Sequence, residues 1–115
     1  PMNGSTILCL GVAYKADIDD ARESPALLVM EECARKRANV IYHDPYIPEV
    51  VDEHGKKWVG VALTDELLEQ ADCVVFTTKH LCFDAEHIVE KAQLVVDMRN
   101  AVNSVQIENE RVFKL

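Results

Sequence analysis

Short apolar runs alternate along this chain with amphipathic stretches and polar loops. The runs predict strands over Thr6–Val12, Asn39–His43, Asp72–Thr77 and Leu94–Asp97, with a last edge strand over Arg111–Leu115. A near-continuous apolar run, such as Cys73-Val74-Val75-Phe76, is typical of a strand that is covered on both faces. These strands are therefore expected to form a buried sheet.

Amphipathic or capped segments between the runs predict helices. Ser24-Pro25 is a typical helix start, because serine caps the first turn and proline occupies it. Apolar residues then recur with a period of 3.6, which indicates a helix with one face toward the core. Helices are expected over Pro25–Arg37, Thr64–Gln70 and Asp84–Lys91. The segment up to about Lys56 is rich in turn residues, and Val59–Leu63 is expected to be a short strand or an extended loop.

Strands that alternate with helices and are apolar on both faces favour a parallel sheet between helical layers. The right-handed crossover rule then favours a doubly wound topology. The predicted fold class is α/β: a Rossmann-like three-layer sandwich with a mostly parallel, doubly wound sheet. We expect one domain over residues 6–115, preceded at residues 1–5 by a linker or a cloning scar.

Composition and charge narrow the functions that remain. The 115 residues carry a formal net charge of −8, and the twelve lysines and arginines form no dense run, which argues against a nucleic-acid partner. No apolar run approaches the roughly 20 residues that cross a membrane, and no signal peptide is seen at the start. A cytoplasmic protein without a membrane partner is predicted.

The four cysteines, Cys9, Cys33, Cys73 and Cys82, are far apart in sequence and form no Cys-x-x-Cys pair. They are interpreted as reduced core residues, with Cys82 the most exposed. The histidines have no ligand spacing with them, so no metal site is expected. No catalytic residue is assigned.

The chemistry-bearing side chains gather where strands end. Parallel strands place their carboxyl ends at one edge of the sheet, where ligands bind in such folds. Three loops are expected to meet there, over 13–24, 77–83 and 97–103, and they carry Tyr14, Lys15, Asp17, Asp19, Asp20, Arg22, Lys79, His80, Arg99 and Asn100. Lysine and arginine beside a helix amino terminus suit phosphate. The alternative is a solvated rim whose charges pair with each other across the loop surface.

Two related folds do not match the sequence. A complete dinucleotide-binding fold needs Gly-x-Gly-x-x-Gly after its first strand, and Gly11 is followed here by Val, Ala, Tyr and Lys. Asp44 does lie where a ribose-binding acid would. A phosphorelay receiver needs an acidic pair directly after the first strand, but Asp19-Asp20 come late here. It also needs an aspartate at the end of the middle strand, and Val74–Thr78 ends without one.

Four spaced motifs carry a resemblance to a known family. They are Leu10-Gly11-Val12-Ala13-Tyr14-Lys15, Asp19-Asp20-x-Arg22-Glu23-Ser24-Pro25, Tyr42-His43-Asp44-Pro45-Tyr46-x-Pro48 and Val96-Asp97-x-Arg99-Asn100. In this order they resemble the carboxy-terminal, UDP-binding domain of the UDP-glucose/GDP-mannose dehydrogenase family. The segments Asp97–Asn100 and Glu23–Leu27 look more like the branch that acts on N-acetylated UDP-hexoses.

The resemblance implies a function in polysaccharide precursor synthesis. Members oxidise C6 of a nucleotide sugar to a uronate in two NAD-dependent steps, and NAD is held mainly by an amino-terminal Rossmann domain. That domain and a central dimerisation region with the catalytic cysteine would be absent from this chain, so the fragment is expected to bind UDP weakly and not to catalyse. A homo-oligomer is implied for the complete enzyme.

Site roles carry over only at matching positions. The resemblance implies that Tyr14, Lys15 and Arg99 bind the UDP-sugar, and that Arg22 reaches toward NAD. The competing interpretation is a non-enzymatic α/β interaction domain with a vestigial anion site. Trp58 or Phe83 would then be candidates for an exposed binding surface.

Overall fold

The computed structural model describes residues 3–12, 24–52, 54–78, 83–98 and 112–114. The strands are β1 (Thr6–Leu10), β2 (Asn39–His43), β3 (Glu49–Val51), β4 (Lys57–Val59), β5 (Cys73–Phe76), β6 (Val95–Asp97) and β7 (Val112–Lys114). The helices are α1 (Pro25–Arg35), α2 (Asp65–Gln70) and α3 (Ala85–Lys91). None of the helices in these described segments has the length and apolar content needed to cross a membrane.

A parallel sheet forms the centre of the molecule. Its five strands have the order β2-β1-β5-β6-β7, and every neighbouring pair runs parallel. Strand β1 lies between β2 and β5, with Leu8 opposite both Ile41 and Val74. The chain thus continues from β1 to one side of the sheet and later returns to the other side. This order confirms the predicted α/β, doubly wound class.

Helices cover both faces of the sheet. Because successive side chains of a strand point to opposite faces, β1 contributes Cys9 to the layer under α1 and Leu8 to the layer under α2 and α3. The α1 layer also contains Met30 and Tyr42, and the opposite layer contains Phe76. The two buried layers make the three-layer sandwich that the apolar runs predicted.

Helix α1 begins where the sequence predicts. The Ser24 hydroxyl accepts a hydrogen bond from Ala26 N (3.1 Å), and Pro25 occupies the first turn. The helix ends at Arg35, two residues before the predicted end. The reason is local, because Arg37 adopts a left-handed φ of 67° while its N–H donates to Ala34 O (2.9 Å).

The segment between β2 and α2 contains a hairpin that the sequence did not reveal. Strands β3 and β4 pair antiparallel, with Val50 opposite Trp58, where a turn-rich segment was expected. Residues 60–63, expected to be a short strand or an extended loop, lie outside any strand. Asp52 closes the turn, because its carboxylate accepts bonds from His54 N (2.9 Å), Lys56 N (3.0 Å) and Trp58 Nε1 (3.0 Å). Trp58 is 6% exposed, so its candidacy for an exposed binding surface was wrong.

Three of the cysteines lie in or against the α1 layer as free thiols. Cys9 is buried, and burial raises the pKa of its thiol to about 12. Cys33 and Cys73 are half-buried, and burial is also the main cause that raises the pKa of each. The interpretation as reduced core residues is confirmed for Cys9 and holds in part for the other two. Cys82 lies outside the described residues.

An ion pair joins α2 to α3 at the surface. His87 Nε2 lies 2.7 Å from Asp65 Oδ1, and this hydrogen bond is the main cause that raises the pKa of His87 and lowers the pKa of Asp65. The raised histidine pKa stabilises the fold below the unfolded value of about 6.5 and loses effect as pH rises through the folded value. The lowered pKa of Asp65 stabilises the fold above the unfolded aspartate pKa of about 3.9, and this stabilisation is lost as pH falls through the folded value.

We therefore expect a His87→Gln variant to melt at a lower temperature than the wild type between about pH 4 and 6.5. The two melting temperatures should converge above about pH 8, where the imidazole is neutral. Thermal unfolding followed by circular dichroism across this range checks the prediction. Asp65→Asn is the matched control, since it should show the same pH profile. A difference that is constant with pH would contradict the ion pair.

Candidate functional site

The candidate site lies where the chain direction across the sheet reverses. From β1 the chain passes through α1 to β2, whereas β5 lies on the opposite side of β1. The connections that leave the carboxyl ends of β1 and β5 therefore diverge, and a crevice opens between the two strand ends, the usual ligand position in open α/β sheets. In the sequence, residues 13–23 come next after the exit of β1, and residues 79–82 come next after that of β5.

The predicted ligand residues belong to the segments that follow these strand ends in the sequence. Tyr14, Lys15, Arg22 and Arg99 lie outside the described residues, so their roles stay predictions. The structure does describe residues that flank them in the sequence. Val12 and Ser24 flank the segment with Tyr14, Lys15 and Arg22, and Met98, which follows β6, precedes Arg99.

Gly11 is held tightly at the exit of β1. Its φ is +96°, and its N–H donates to His43 O at 2.8 Å. A Cβ on this residue would overlap the Cβ of Thr78 and would lie 2.9 Å from Thr78 Oγ1. Glycine is needed here for its dihedral angle and for the close approach of the chain that leaves β5.

Thr77 holds the same exit from the β5 side. Its hydroxyl donates to Leu10 O at 3.1 Å and contacts Gly11 O as a second acceptor. The backbone N–H groups of Thr77 and Thr78 also point at Leu10 O, at 3.1 and 3.2 Å. Both threonines are buried, so the end of β1 is fixed to β5 away from solvent.

Asp44, which follows β2, binds Val12, the residue after Gly11. Its Oδ2 accepts a hydrogen bond from Val12 N and its Oδ1 accepts one from Tyr46 N, both at 2.8 Å. The residue is 6% exposed. The sequence placed Asp44 where a ribose-binding acid would lie. In the structure its two oxygens instead bind backbone amides, which links the end of β2 to the exit of β1.

The amino terminus of α1 opens onto a small cleft at this edge. The cleft has a volume of about 110 Å³ and is lined by Pro25, Ala26, Val29, Thr77 and Met98. The first turn of α1 contains no acidic residue, so its partial positive charge is available to an anion. Pockets for small molecules usually measure about 300–1,000 Å³, so the cleft that the described residues form is by itself smaller than a usual ligand pocket.

Sequence reasoning found this edge but missed the residues that build it. Ser24 and Pro25 were predicted correctly as the helix start and Gly11 was interpreted only as part of a motif, whereas Thr77 and Thr78 were given no role. The Thr-Thr pair at the end of an apolar run was the available signal, since hydroxyl residues there can bind neighbouring carbonyls. His43, to which no role at the site was assigned from the sequence, is half-buried with Nδ1 at 2.7 Å from Val61 O.

A parallel sheet with its crevice at the reversal point, beside a helix whose first turn contains no acidic residue, is typical of nucleotide-binding α/β domains. The sequence narrows this class. Residues 8–104 match the sequence model of the UDP-glucose/GDP-mannose dehydrogenase family, UDP binding domain, and the chain belongs to this family. The resemblance drawn from the four motifs is confirmed.

Two similar proteins are named as dehydrogenases of UDP-sugars. A UDP-N-acetyl-D-mannosamine dehydrogenase of Campylobacter jejuni is 34% identical over 67% of this chain and 19% of its own length. A UDP-glucose 6-dehydrogenase of Rhizobium meliloti is 32% identical over 86% of this chain and 24% of its own length. The first of these two names belongs to the branch that acts on N-acetylated UDP-hexoses, which the motifs favoured. The chain therefore spans about a fifth to a quarter of these relatives.

Solved structures agree on the fold. A UDP-D-ManNAc dehydrogenase from Pyrococcus horikoshii superposes with a TM-score of 0.68 and 25% identity, over 97% of this chain and 25% of the other. An NDP-N-acetyl-D-galactosaminuronic acid dehydrogenase from Methanosarcina mazei gives a TM-score of 0.74 over 99% of this chain and 24% of the other, at 24% identity. The predicted Rossmann-like class is thus confirmed.

Proposed function

We propose that this chain is the nucleotide-sugar-binding domain of an NAD-dependent UDP-sugar 6-dehydrogenase, which oxidises C6 of a UDP-hexose to a uronate in two steps. The observation that carries the proposal is the family match over residues 8–104, which includes every strand end at the crevice. In this role the chain binds the UDP portion, and the remaining parts of the enzyme supply the reacting groups.

The described residues support a binding role for the predicted side chains. Lys15 follows Val12 by three residues, and Val12 is held by Asp44. Arg99 directly follows Met98, which lines the cleft at α1. We assign Tyr14, Lys15 and Arg99 to the UDP-sugar, because lysine and arginine bind phosphate oxygens strongly.

Arg22 is assigned to the cofactor. It precedes the α1 cap Ser24 by two residues, and so belongs to the last part of the segment between β1 and α1. NAD, bound mainly by another domain, supplies the hydride acceptor for the C6 alcohol. The contribution of this chain is positional, since binding energy from the remote UDP group orients C6 for reaction. We expect the complete enzyme to be a cytoplasmic homo-oligomer.

Calorimetric titration with UDP, UMP and uridine tests the proposal. We expect affinity to fall in that order, because each phosphate removed takes charge-assisted hydrogen bonds with it. Affinity should also fall as salt rises. Lys15→Ala should weaken UDP binding by about tenfold, the effect of losing one such bond.

Lys36→Ala is the matched control. Lys36 is exposed at the carboxyl end of α1, hence at the opposite edge of the sheet, and its removal changes net charge by the same amount. UDP affinity should be unchanged in this variant. Equal weakening by both substitutions would indicate a nonspecific charge effect. Failure of the wild type to bind UDP would favour the non-enzymatic interaction domain.

A further inference from the structure

A second cavity lies between the outer face of α1 and the turn of the β3–β4 hairpin. It has a volume of about 320 Å³ and is lined by Leu28, Glu31, Glu32, Arg35 and His54. It shares no lining residue with the cleft at the start of α1. The volume lies at the lower end of the range of about 300–1,000 Å³ for small-molecule pockets. The cavity is therefore large enough for one side chain of a partner or for a small molecule.

Glu31 contributes a carboxylate to this cavity that lacks a close donor. Its side chain is 20% exposed, and its Oε1 is buried with no hydrogen-bond partner among the residues that the structure describes. Its Oε2 lies 3.8 Å from His54 Nε2, which is too long for a hydrogen bond. A buried carboxylate is costly unless a cation or a donor pairs with it. The last torsion of a glutamate is soft, so a donor in the cavity can reach either oxygen.

The other lining residues favour a cation on an apolar stem. Glu32 forms an ion pair with Arg35, so these two charges neutralise each other and leave Glu31 as the carboxylate that a ligand would meet. Leu28 is 58% exposed and forms an apolar wall of the same cavity. A lysine side chain matches this combination, since its methylene groups pack on apolar surface while its ammonium group binds a polar partner. The net charge of −8 also favours the approach of a cation.

We propose that this cavity binds a lysine side chain presented by a partner polypeptide, with the ammonium group on the Glu31 carboxylate and the methylene groups against Leu28. The lining residues from Leu28 to Arg35 extend along about 10 Å of exposed helix, which gives a polypeptide room to lie beside the cavity. An ammonium group suits Glu31 better than a guanidinium group, because it is compact and does not require two parallel hydrogen bonds. This site goes beyond the proposed function and does not depend on UDP binding.

The experiment follows amide chemical shifts of the whole chain during titration with three probes at constant ionic strength. The first is n-butylammonium, which reproduces the lysine side chain, and the second is n-butanol, which has the same stem without the charge. The third is Nα-acetyl-lysine N-methylamide, which presents the side chain between two peptide bonds. We expect saturable shifts at Leu28, Glu31 and His54 with both ammonium probes, and none there with n-butanol at the same concentrations.

Substitutions then test the two contacts. Glu31→Gln keeps the shape of the side chain but removes its charge, so affinity for n-butylammonium should fall about tenfold. Leu28→Ala should weaken binding about threefold by removing the apolar wall, and its exposure makes the fold tolerant of the change. Glu90→Gln is the matched control, because Glu90 is exposed on α3, on the opposite face of the sheet, and its change alters net charge equally. Affinity should be unchanged in this variant.

Three outcomes overturn the inference. If the ammonium probes give no saturable shifts at these residues, the cavity holds water only. If n-butylammonium binds and the acetyl-lysine amide does not, the site takes a free amine rather than a polypeptide. If Glu31→Gln binds n-butylammonium as tightly as the wild type and melts at a lower temperature, Glu31 serves the fold through His54. The proposed function stands in each case, since UDP binding is measured separately at the crevice.

Discussion

Replacing Gly11 with alanine should destabilise this domain by about 3 kcal/mol, through a strained dihedral angle and a steric overlap together. Gly11 has a φ of +96°, and its added Cβ would overlap the Cβ of Thr78 at the end of β5. Thr78 cannot retreat easily, because the backbone amides of Thr77 and Thr78 are hydrogen-bonded to the end of β1. Urea unfolding measures the loss in the free energy of unfolding.

Gly55→Ala separates the two causes. Gly55 has a φ of +80° at the hairpin turn, but among the described residues beyond its chain neighbours no heavy atom lies within 4 Å of the position that a Cβ would occupy. This control should cost about 1 kcal/mol, which is the dihedral contribution alone. Equal losses in the two variants would show that the close approach of β1 and β5 does not constrain the residue at position 11.

Removal of the Phe76 ring should destabilise the domain by about 3–5 kcal/mol. Phe76 is 0% exposed at the end of β5, and it packs in the layer under α2 and α3. Its ring centroid is 6.3 Å from that of Phe83, which lies shortly before α3. Phe76→Ala therefore leaves a cavity in the layer under α2 and α3. Chemical unfolding followed by circular dichroism measures the effect.

Phe113→Ala is the control for the Phe76 prediction. Phe113 is 54% exposed on the edge strand β7, so the same chemical change should cost less than about 1 kcal/mol. Similar losses in the free energy of unfolding for the two variants would contradict the prediction that the Phe76 ring stabilises the core.

Local signals predicted most of the fold. The five residues of β2 were assigned with their observed limits because an apolar core is ended by an Asp-Pro turn. The starts of α1, α2 and α3 were predicted to within one residue, and Ser24, Thr64 and Asp84 each accept a capping bond in the structure. These features depend on residues within a few positions, which a single sequence displays.

Contacts between distant residues could not be predicted in the same way. The β3–β4 hairpin depends on one Asp52 carboxylate that collects three donors, and its three-residue strands are too short to show a period. At the candidate site, Asp44 reaches Val12 across 32 positions and Thr77 reaches Leu10 across 67. The sequence indicated which edge of the sheet binds a ligand, whereas the construction of that edge required the structure.

Binding of the UDP portion of a nucleotide sugar in the crevice between β1 and β5 is tested most directly by amide chemical shifts followed during a UDP titration. We expect the largest shifts at the crevice, at Gly11, Val12, Ala26, Thr78 and Met98. Little change is expected at Asn39 and Asp72, which lie at the opposite edge of the sheet. Shifts concentrated at that opposite edge or at the β3–β4 hairpin, with the crevice unaffected, would contradict UDP binding at this position.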